Sequence, residues 1–301
     1  MRELDLTSLR LFVTVCETGN IARAGERANI VGSAISKRLS QLEHTVGTPL
    51  LARKRHGVQP TPAGRTLLEH ARSMLATASA IERDMQAYAA GARGQVRILA
   101  SASALAESLA PDIAAFLRKP EHSRIQVDLE ERVSPDIVRG IQDGTASLGV
   151  CWDAADIGSL HSKPYHVDEL AAVVPRGHRL AGRKRLKFEE TLQYEHVSLP
   201  VNSAVQVMLQ REAARLGRNF SHRVVVTNFE AALRVVRAGL AICLVPRQVA
   251  QIYAQAYELR IIPLADPWAK RRFIIVHRDD ATLTPAAHLL LLHLAAQALE
   301  S

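Results

Sequence analysis

The first sixty residues carry hydrophobic side chains at helical spacing. The first apolar stripe consists of Leu6, Leu9, Phe12, Val13 and Cys16. Gly19-Asn20 interrupts it, and apolar positions then recur at helical spacing in two further segments. The pattern predicts three short helices, the second from about Ile21 to Ala28 and the third from about Ser33 to Thr45.

The third predicted helix has two different faces. Its apolar positions recur at intervals of four, three and four residues, as a single buried face requires; they are Ile35, Leu39, Leu42 and Val46. The opposite face is polar and basic and comprises Ser33, Ser36, Lys37, Ser40, Gln41 and His44. Such a helix packs against its own domain on one side and offers the other side to a partner.

A small hairpin, or wing, is predicted next. Two short extended segments, residues 50–53 and 58–60, flank the basic turn Lys54-Arg55-His56-Gly57. Thr61-Pro62 then supplies a good N-cap followed by proline at the first helical position, so a new helix begins there.

That helix is predicted to run to about Ala90, roughly 29 residues and about 40 Å long. Its apolar positions alternate spacings of four and three in a heptad seam that consists of Leu67, Ala71, Met74, Ala78, Ile81, Met85 and Tyr88. A heptad seam favours pairing with a second helix, so we expect a dimerisation helix. The alternative is an ordinary amphipathic helix that lies on its own domain.

Beyond a hinge at Gly91-Ala92-Arg93-Gly94, strands alternate with helices. The predicted strands are Val96–Ala100, Ile125–Glu130, Leu148–Trp152, Leu170–Val174, Val197–Leu199, Val224–Val226, Ile242–Val245, Leu259–Pro263 and Phe273–His277. The predicted helices are Leu105–Leu117, Pro135–Gln142, Ser203–Leu216, Phe229–Arg237 and Pro285–Leu299. This alternation predicts an α/β domain with a mostly parallel sheet and helices on both faces.

The positive charge is concentrated near the N-terminus. The chain has 301 residues, 48% of them hydrophobic and 23% charged, and a formal net charge of +8. Residues 20–65 hold eight basic and two acidic side chains, a net +6. This segment has no apolar face beyond what its own core needs, so the charge favours nucleic acid over a membrane surface.

Other features narrow the class of protein. The start of the chain lacks the apolar run of a secretory signal, and no segment is long enough to span a membrane. The three cysteines, Cys16, Cys151 and Cys243, are far apart and have no metal-ligand spacing. We therefore expect a cytoplasmic protein with reduced thiols and with neither metal nor cofactor.

Groove geometry assigns roles to the basic and polar side chains. An α-helix fits the major groove of B-DNA, where its polar face reads base edges. The candidate base-reading residues are Ser33, Ser36, Lys37 and Ser40, and those expected at the phosphates are Arg38, Gln41, Arg53, Lys54 and Arg55. A solvated surface charge is the alternative for any one of them, but the cluster as a whole favours DNA.

The same segment resembles the LysR-type transcriptional regulators. The resemblance rests on Leu9-Arg10-Leu11-Phe12, Ala24-Gly25-Glu26-Arg27-Ala28, Ser33-Ala34-Ile35-Ser36-Lys37-Arg38-Leu39, Leu42-Glu43, Gly47, Pro49-Leu50-Leu51, Arg53 and Thr61-Pro62-Ala63-Gly64. It implies a winged helix-turn-helix (residues 1–61), a linker and dimerisation helix (62–91) and an effector-binding domain (92–301). That domain would resemble periplasmic binding proteins, with lobe I at 95–162 and 266–301 and lobe II at 163–265.

The resemblance also implies partners. It predicts a homodimer or homotetramer that binds double-stranded promoter DNA and responds to a small-molecule effector, with RNA polymerase as a candidate partner. Two positions depart from the pattern, in which serine or threonine and then glutamine open the recognition helix; here they are Val31 and Gly32. Since valine cannot cap a helix, we expect the helix to begin later, with Ser33 as its cap.

The effector is expected in a cleft at the carboxyl ends of strands, where two-lobed α/β domains bind ligands. The candidate residues follow predicted strands: Ser101, Ser103, Trp152, Leu199, Ser203, Thr227, Asn228 and Pro246. Hydroxyl groups and free N–H groups at a helix start favour a small organic anion. The alternatives are capping for Ser101, Ser103 and Thr227-Asn228, and a core position for Trp152.

Three other classes of protein are the alternatives to a transcription regulator. An enzyme is disfavoured because the chain has no Gly-x-Ser-x-Gly elbow, phosphate loop or dinucleotide fingerprint, and its histidines are scattered. A transport solute-binding protein would need an export signal and no basic N-terminal segment. An architectural DNA-binding protein with an inactive effector domain stays open, and a ligand screen by thermal shift would distinguish it.

Overall fold

The computed structural model describes residues 4–54, 57–89 and 94–298, and the predicted DNA-contact residue Arg55 lies outside them. The chain forms two compact units, an N-terminal one that ends with a long helix at Ala89 and a C-terminal one that contains the larger sheet.

The N-terminal unit is a winged helix-turn-helix followed by the long helix. Its elements are α1 (Leu6–Thr18), α2 (Ile21–Ala28), α3 (Gly32–Val46), β1 (Leu51–Lys54), β2 (Gly57–Pro60) and α4 (Pro62–Ala89). Local signals fix these boundaries. The Asn20 carboxamide accepts a hydrogen bond from the Ala22 N–H at 2.8 Å and starts α2, and Gly19 ends α1 with φ of +62°.

One core holds the three helices, the wing and the start of α4 together. Its buried members are Leu9, Leu11, Phe12, Val15, Ala24, Ile35, Leu39, Leu42, Leu50 and Ala71. The turn between α2 and α3 is so tight that a Cβ on Gly25 would lie 2.6 Å from the Ile30 carbonyl oxygen. Only glycine fits there, which explains why the helix-turn-helix has this residue.

The start of α3 differs from the prediction. The helix begins at Gly32 rather than Ser33, and Val31 stands at the N-cap without a side-chain hydrogen bond. The Val31 carbonyl accepts hydrogen bonds from the Ala34 and Ile35 N–H groups, at 3.0 and 3.3 Å. Because buried Ile35 fixes the phase of the helix against α2, packing sets its start without a capping side chain.

The C-terminal unit alternates strands and helices. Its strands are β3 (Gly94–Ala100), β4 (Ile125–Glu131), β5 (Leu148–Trp152), β6 (His161–Pro175), β7 (His196–Ser198), β8 (His222–Val225), β9 (Cys243–Pro246), β10 (Leu259–Pro263) and β11 (Lys270–His277). Its helices are α5 (Ala102–Ala104), α6 (Ala110–Leu117), α7 (Ser134–Gln142), α8 (Phe188–Thr191), α9 (Ala204–Arg215), α10 (Phe229–Arg237), α11 (Arg247–Ala254) and α12 (Pro285–Gln297). A π-helical turn, Leu105–Leu109, joins α5 to α6.

The sheet is mixed, so the prediction of a mostly parallel sheet was wrong. Strand β3 pairs in parallel with β4 and β5, but β11 is antiparallel to both β5 and β6. Strand β6 is also antiparallel to β9 and β10. The reason is the connectivity of the chain. It leaves the first lobe along β6 and returns to it along β11, so these two adjacent strands run in opposite directions and pair as antiparallel strands.

Two lobes result from this connectivity. The first part of β6, His161–Glu169, pairs with β11, whereas Leu170–Pro175 pairs with β9 or β10. One hydrophobic core packs around β3, β5 and α12 and includes Ile98, Leu148 and Leu290. A second core packs β6, β7, β9 and β10 against α9 and α10. The two-lobed α/β prediction is therefore confirmed.

Candidate nucleic-acid interface and effector cleft

The polar face of α3 is open to solvent. The predicted residues Ser33, Lys37, Arg38, Ser40 and Gln41 are exposed, and Ser36 is half-buried. The Arg38 guanidinium lies 4.0 Å from the Asp5 carboxylate. Lys37 has no carboxylate partner among the residues that the structure describes, so its charge is available to an external anion.

The wing is fixed to both sides of the helix-turn-helix. The Glu43 carboxylate of α3 accepts hydrogen bonds from the N–H groups of Leu50 and Leu51, at 2.7 and 3.1 Å. On the other side, the Val58 N–H donates to the Gly19 carbonyl at 2.9 Å. These contacts hold β1 and β2 in one position relative to α3.

The basic residues of the wing are partly described. Lys54 is exposed at the end of β1, opposite Gly57. Arg53 also belongs to β1, but its side chain lies outside the described part. A groove of about 680 Å³ between the α1–α2 turn and the wing is lined by both Lys54 and Arg23. From the sequence, Arg23 was included in the net charge but was not predicted to contact DNA. Its position in the first turn of α2 could have indicated such a contact.

The predicted seam on α4 divides into two parts. Leu67 and Ala71 pack against the core of the N-terminal unit. Farther along, the Met74, Ile81 and Met85 side chains are 43%, 57% and 56% exposed. Ala78 is half-buried, and the Tyr88 side chain lies outside the described part. The alternative of an amphipathic helix that lies on its own domain is therefore confirmed for the first portion of α4. Pairing with a second helix stays a prediction for the exposed portion.

A cavity of about 360 Å³ lies between the two lobes of the C-terminal unit. Lobe I contributes Ala102, Leu105, Ala106, Glu131 and Val133. Lobe II contributes Leu199, Pro200, Asn202, Ser203, Thr227, Asn228, Phe229, Glu230, Val249, Ile252 and Tyr253. Of the predicted effector residues, the lobe II segments Leu199, Ser203 and Thr227-Asn228 line it.

Two of these lining residues also cap helices. The Ser203 hydroxyl accepts a hydrogen bond from the Gln206 N–H at 3.3 Å, and the Asn228 carboxamide accepts one from the Ala231 N–H at 2.9 Å. The capping alternative is therefore confirmed for Asn228, and Ser203 caps α9 in the same way. It is wrong for Ser101, which stands at the N-cap of α5 without a side-chain hydrogen bond.

The other predicted effector residues are not among those that line the cavity. Ser101 and Ser103 are only 5% and 4% exposed. Trp152 packs against the lobe II core, and Pro246 is buried at the end of β9. Sequence reasoning missed Val249, Ile252 and Tyr253, because helix α11 was not predicted.

Beneath α5, a buried ion pair joins the two crossover strands. Arg271 of β11 lies directly opposite Asp168 of β6, and the two side chains are almost fully buried. Arg271 also donates a hydrogen bond to the Ser103 hydroxyl at 3.2 Å. The predicted ligand residue Ser103 thus belongs to a buried polar cluster at the crossover.

The acid Glu107 completes this cluster. Burial raises the pKa of its carboxyl to about 7, and the nearby charge of Arg271 partly opposes the rise. Burial also lowers the pKa of Arg271 to about 10, and the nearby charge of Glu107 partly opposes this decrease. Both shifts have the same physical cause, the loss of water around a charged group.

The described residues contain neither a metal-binding cluster nor a membrane-spanning helix. Within residues 4–54, 57–89 and 94–298, no cluster of histidine, cysteine, aspartate or glutamate side chains is arranged to hold a metal ion. In the same ranges, no helix combines the length and apolar character that a membrane crossing requires.

Comparison with known proteins identifies both units. Residues 6–65 match the family model of the bacterial regulatory helix-turn-helix proteins of the lysR family, and residues 89–299 match the LysR substrate binding domain. A relative is the uncharacterized HTH-type transcriptional regulator Rv2282c of Mycobacterium tuberculosis. It is 29% identical over 242 residues, which cover 78% of this chain and 77% of that protein.

Two solved structures share the fold. One is full-length CbnR complexed with its target DNA, with a TM-score of 0.65, 22% identity and coverage of 98% of this chain and 100% of that one. The other is the effector binding domain of QuiR in complex with shikimate, with a TM-score of 0.61, 14% identity and coverage of 69% and 98%. The chain belongs to the LysR family of transcription regulators, DNA-binding proteins rather than enzymes, and has the family's helix-turn-helix and effector-binding domains.

Proposed function

We propose that this regulator reads promoter DNA with α3 and the wing, and that a small molecule bound between the lobes of the C-terminal unit modulates this binding. The proposed DNA-binding domain is residues 1–61, the linker helix 62–91 and the effector domain 92–301, with lobe I at 95–162 and 266–301 and lobe II at 163–265.

The open polar face of α3 supports the DNA part of the proposal. This exposed helix face carries serines and Lys37, which has no carboxylate partner within the described part of the chain. Such a face suits the major groove, where hydrogen bonds to base edges carry sequence information. Lys54 and Arg23 border one groove beside this helix and suit the phosphates on its flank. CbnR, which shares this fold, has been crystallised with its target DNA.

The cavity between the lobes is the observation that carries the effector part. Its lining comes from both lobes and from helix starts that follow strands, the usual ligand position in such domains. A molecule that contacts both lobes favours the arrangement that brings them together, and so it shifts the population of conformations. QuiR, with the same domain fold, holds shikimate.

The charge of the effector stays a prediction. The sequence favours a small organic anion, yet no lysine or arginine is among the cavity-lining residues. An anion would therefore depend on hydroxyl, amide and main-chain N–H groups, and it would have to avoid the carboxylates of Glu131 and Glu230, which also line the cavity. The lining is otherwise largely apolar, with Leu105, Leu199, Phe229 and Val249 among its members, so we expect a ligand with an apolar body.

Association of subunits belongs to the same proposal. Met74, Ile81 and Met85 expose apolar surface on one side of α4, and pairing with a second α4 would bury it. We propose a homodimer formed through this segment, with a homotetramer and contact with RNA polymerase as further expectations. A dimer would present two recognition helices to an inverted repeat.

The effector is tested by thermal shift of the full chain with matched carboxylate, alcohol and amine compounds. A compound at 100 times its Kd stabilises the folded state by about 2.7 kcal/mol, so the Tm rises by several degrees. Ala106→Trp fills the cavity from an exposed position on its lobe I side and should abolish the shift.

Ala110→Trp is the matched control, since Ala110 is exposed on the following helix and does not line the cavity. It should retain the full shift. An equal thermal shift for both variants would show that the ligand does not bind in this cavity. Stabilisation by amines or alcohols, and not by carboxylates, would refute the anionic effector while leaving the cavity assignment intact.

A further inference from the structure

Val31 is an unusual residue for the place it occupies. It stands at the N-cap of the recognition helix α3, and its side chain is 71% exposed. It makes no capping hydrogen bond. Serine, threonine, aspartate or asparagine at an N-cap typically stabilises a helix by about 1 kcal/mol relative to a residue that cannot cap. Valine forgoes that stabilisation and leaves apolar surface in water.

Packing within the domain does not account for Val31 or for the glycine that follows it. With 71% of its side chain exposed, Val31 contributes little to the core. A Cβ on Gly32 would meet only the Ile21 Cγ2 atom, at 3.7 Å, which is ordinary van der Waals contact. A Cβ would therefore fit at position 32, so the packing of the domain does not require glycine there.

This helix end is the part that approaches the bases. In helix-turn-helix complexes the N-terminal residues of the recognition helix contact base edges in the major groove. An apolar side chain cannot read a donor or an acceptor there. The one apolar feature that a base edge offers is the C5 methyl group of thymine.

We propose that Val31 contacts the C5 methyl group of one thymine in each half-site of the operator and so determines the preference for thymine there. Gly32 leaves the adjacent space free, which lets the methyl group approach the valine side chain. The inference rests on the proposed reading of DNA by α3. It adds a specificity contact to the polar residues Ser33 and Lys37.

The effect is the burial of one methyl group. Loss of that methyl should weaken binding about fourfold per half-site, which corresponds to about 0.8 kcal/mol for a buried carbon of this size. Uracil differs from thymine only by the absence of the methyl group, so it tests this contact and no hydrogen bond.

The experiment begins with the full chain and sites selected from a random pool of duplex DNA. Each thymine of a selected site is then replaced by uracil, and the affinities for the two duplexes are measured. For the wild type we expect one position in each half-site with a thymine-over-uracil ratio of about four. Val31→Ser keeps the helix start and adds a cap, and it should bring that ratio to about one.

Two further variants sharpen the result. Val31→Thr retains one γ-methyl group and should keep part of the ratio. Leu6→Ala, which truncates another exposed apolar residue of the same unit, should leave the ratio unchanged.

The inference is overturned if Val31→Ser binds DNA and keeps the wild-type ratio at every thymine, or if no thymine of the wild-type site is sensitive to the exchange. Either result leaves DNA reading by α3 intact. A wild-type chain that selects no sequence at all would instead refute the reading of DNA by α3, and the inference with it.

Discussion

Lys37 and Lys54 have the same charge but sit on different elements, and so different effects are expected from their removal. Lys37 lies on the exposed face of α3, and Lys54 lies at the end of wing strand β1. In the proposed function the first side chain reaches base edges and the second reaches a phosphate. We predict that Lys37→Ala changes the relative affinities for operator variants. Lys54→Ala should weaken binding to all sequences alike and reduce the slope of log K against log salt by about 0.9.

Fluorescence anisotropy at several salt concentrations measures both effects. The exposed Lys119 of the C-terminal unit serves as the control, and Lys119→Ala should retain wild-type slope and selectivity. If the Lys37 and Lys54 variants behave like the Lys119 variant, then the assignment of α3 to the groove and of the wing to the phosphates is wrong.

Among the elements, the junction between wing and linker helix depends on Gly64. A Cβ at this position would lie 2.0 Å from the Leu50 carbonyl oxygen, a backbone atom that cannot move away alone. The same junction is held by the Thr61 hydroxyl, which donates to the Pro49 carbonyl and accepts from the Gly64 N–H. We predict that Gly64→Ala lowers the free energy of unfolding of the N-terminal unit by about 1–3 kcal/mol.

Chemical denaturation followed by circular dichroism measures this loss. Gly182→Ala is the matched control, because an added Cβ there has no neighbour within 4 Å. It should change the stability by no more than a few tenths of a kcal/mol. If the Gly64 variant and the wild type have equal free energies of unfolding, then the backbone at this junction accommodates the added Cβ without loss of stability, and the prediction is wrong.

For the whole molecule, the exposed part of α4 is the interface that we propose for a homodimer. Ile81 is 57% exposed between Met74 and Met85 on the same side of the helix. Because a carboxylate cannot be buried there without a partner, Ile81→Asp should lower the dimer fraction in sedimentation velocity. Ser79→Asp adds the same charge off the seam and should sediment like the wild type. An unchanged profile for the Ile81 variant would mean that the dimer forms elsewhere.

The sequence alone determined the elements whose signals are local. Capping residues and helical periodicity located the helix-turn-helix and the start of α4, and two extended segments around a basic turn located the wing. The ranges Leu148–Trp152 and Phe229–Arg237 were predicted as observed. These features depend on contacts between residues close in the chain. The basic residues and the helix-turn-helix motif were enough to identify the family, because both lie within the first 65 residues and need no tertiary contact to be seen.

Tertiary structure decided the features that depend on distant partners. The polar segment His161–Glu169 has no alternating pattern, and it becomes a strand because β11, about a hundred residues later, hydrogen-bonds to it. The pair Arg271–Asp168 exists only in that register, and Ser103 hydrogen-bonds to this Arg271 and is not among the cavity-lining residues. The cavity itself is built from two lobes, so no local pattern could show that α11 would line it.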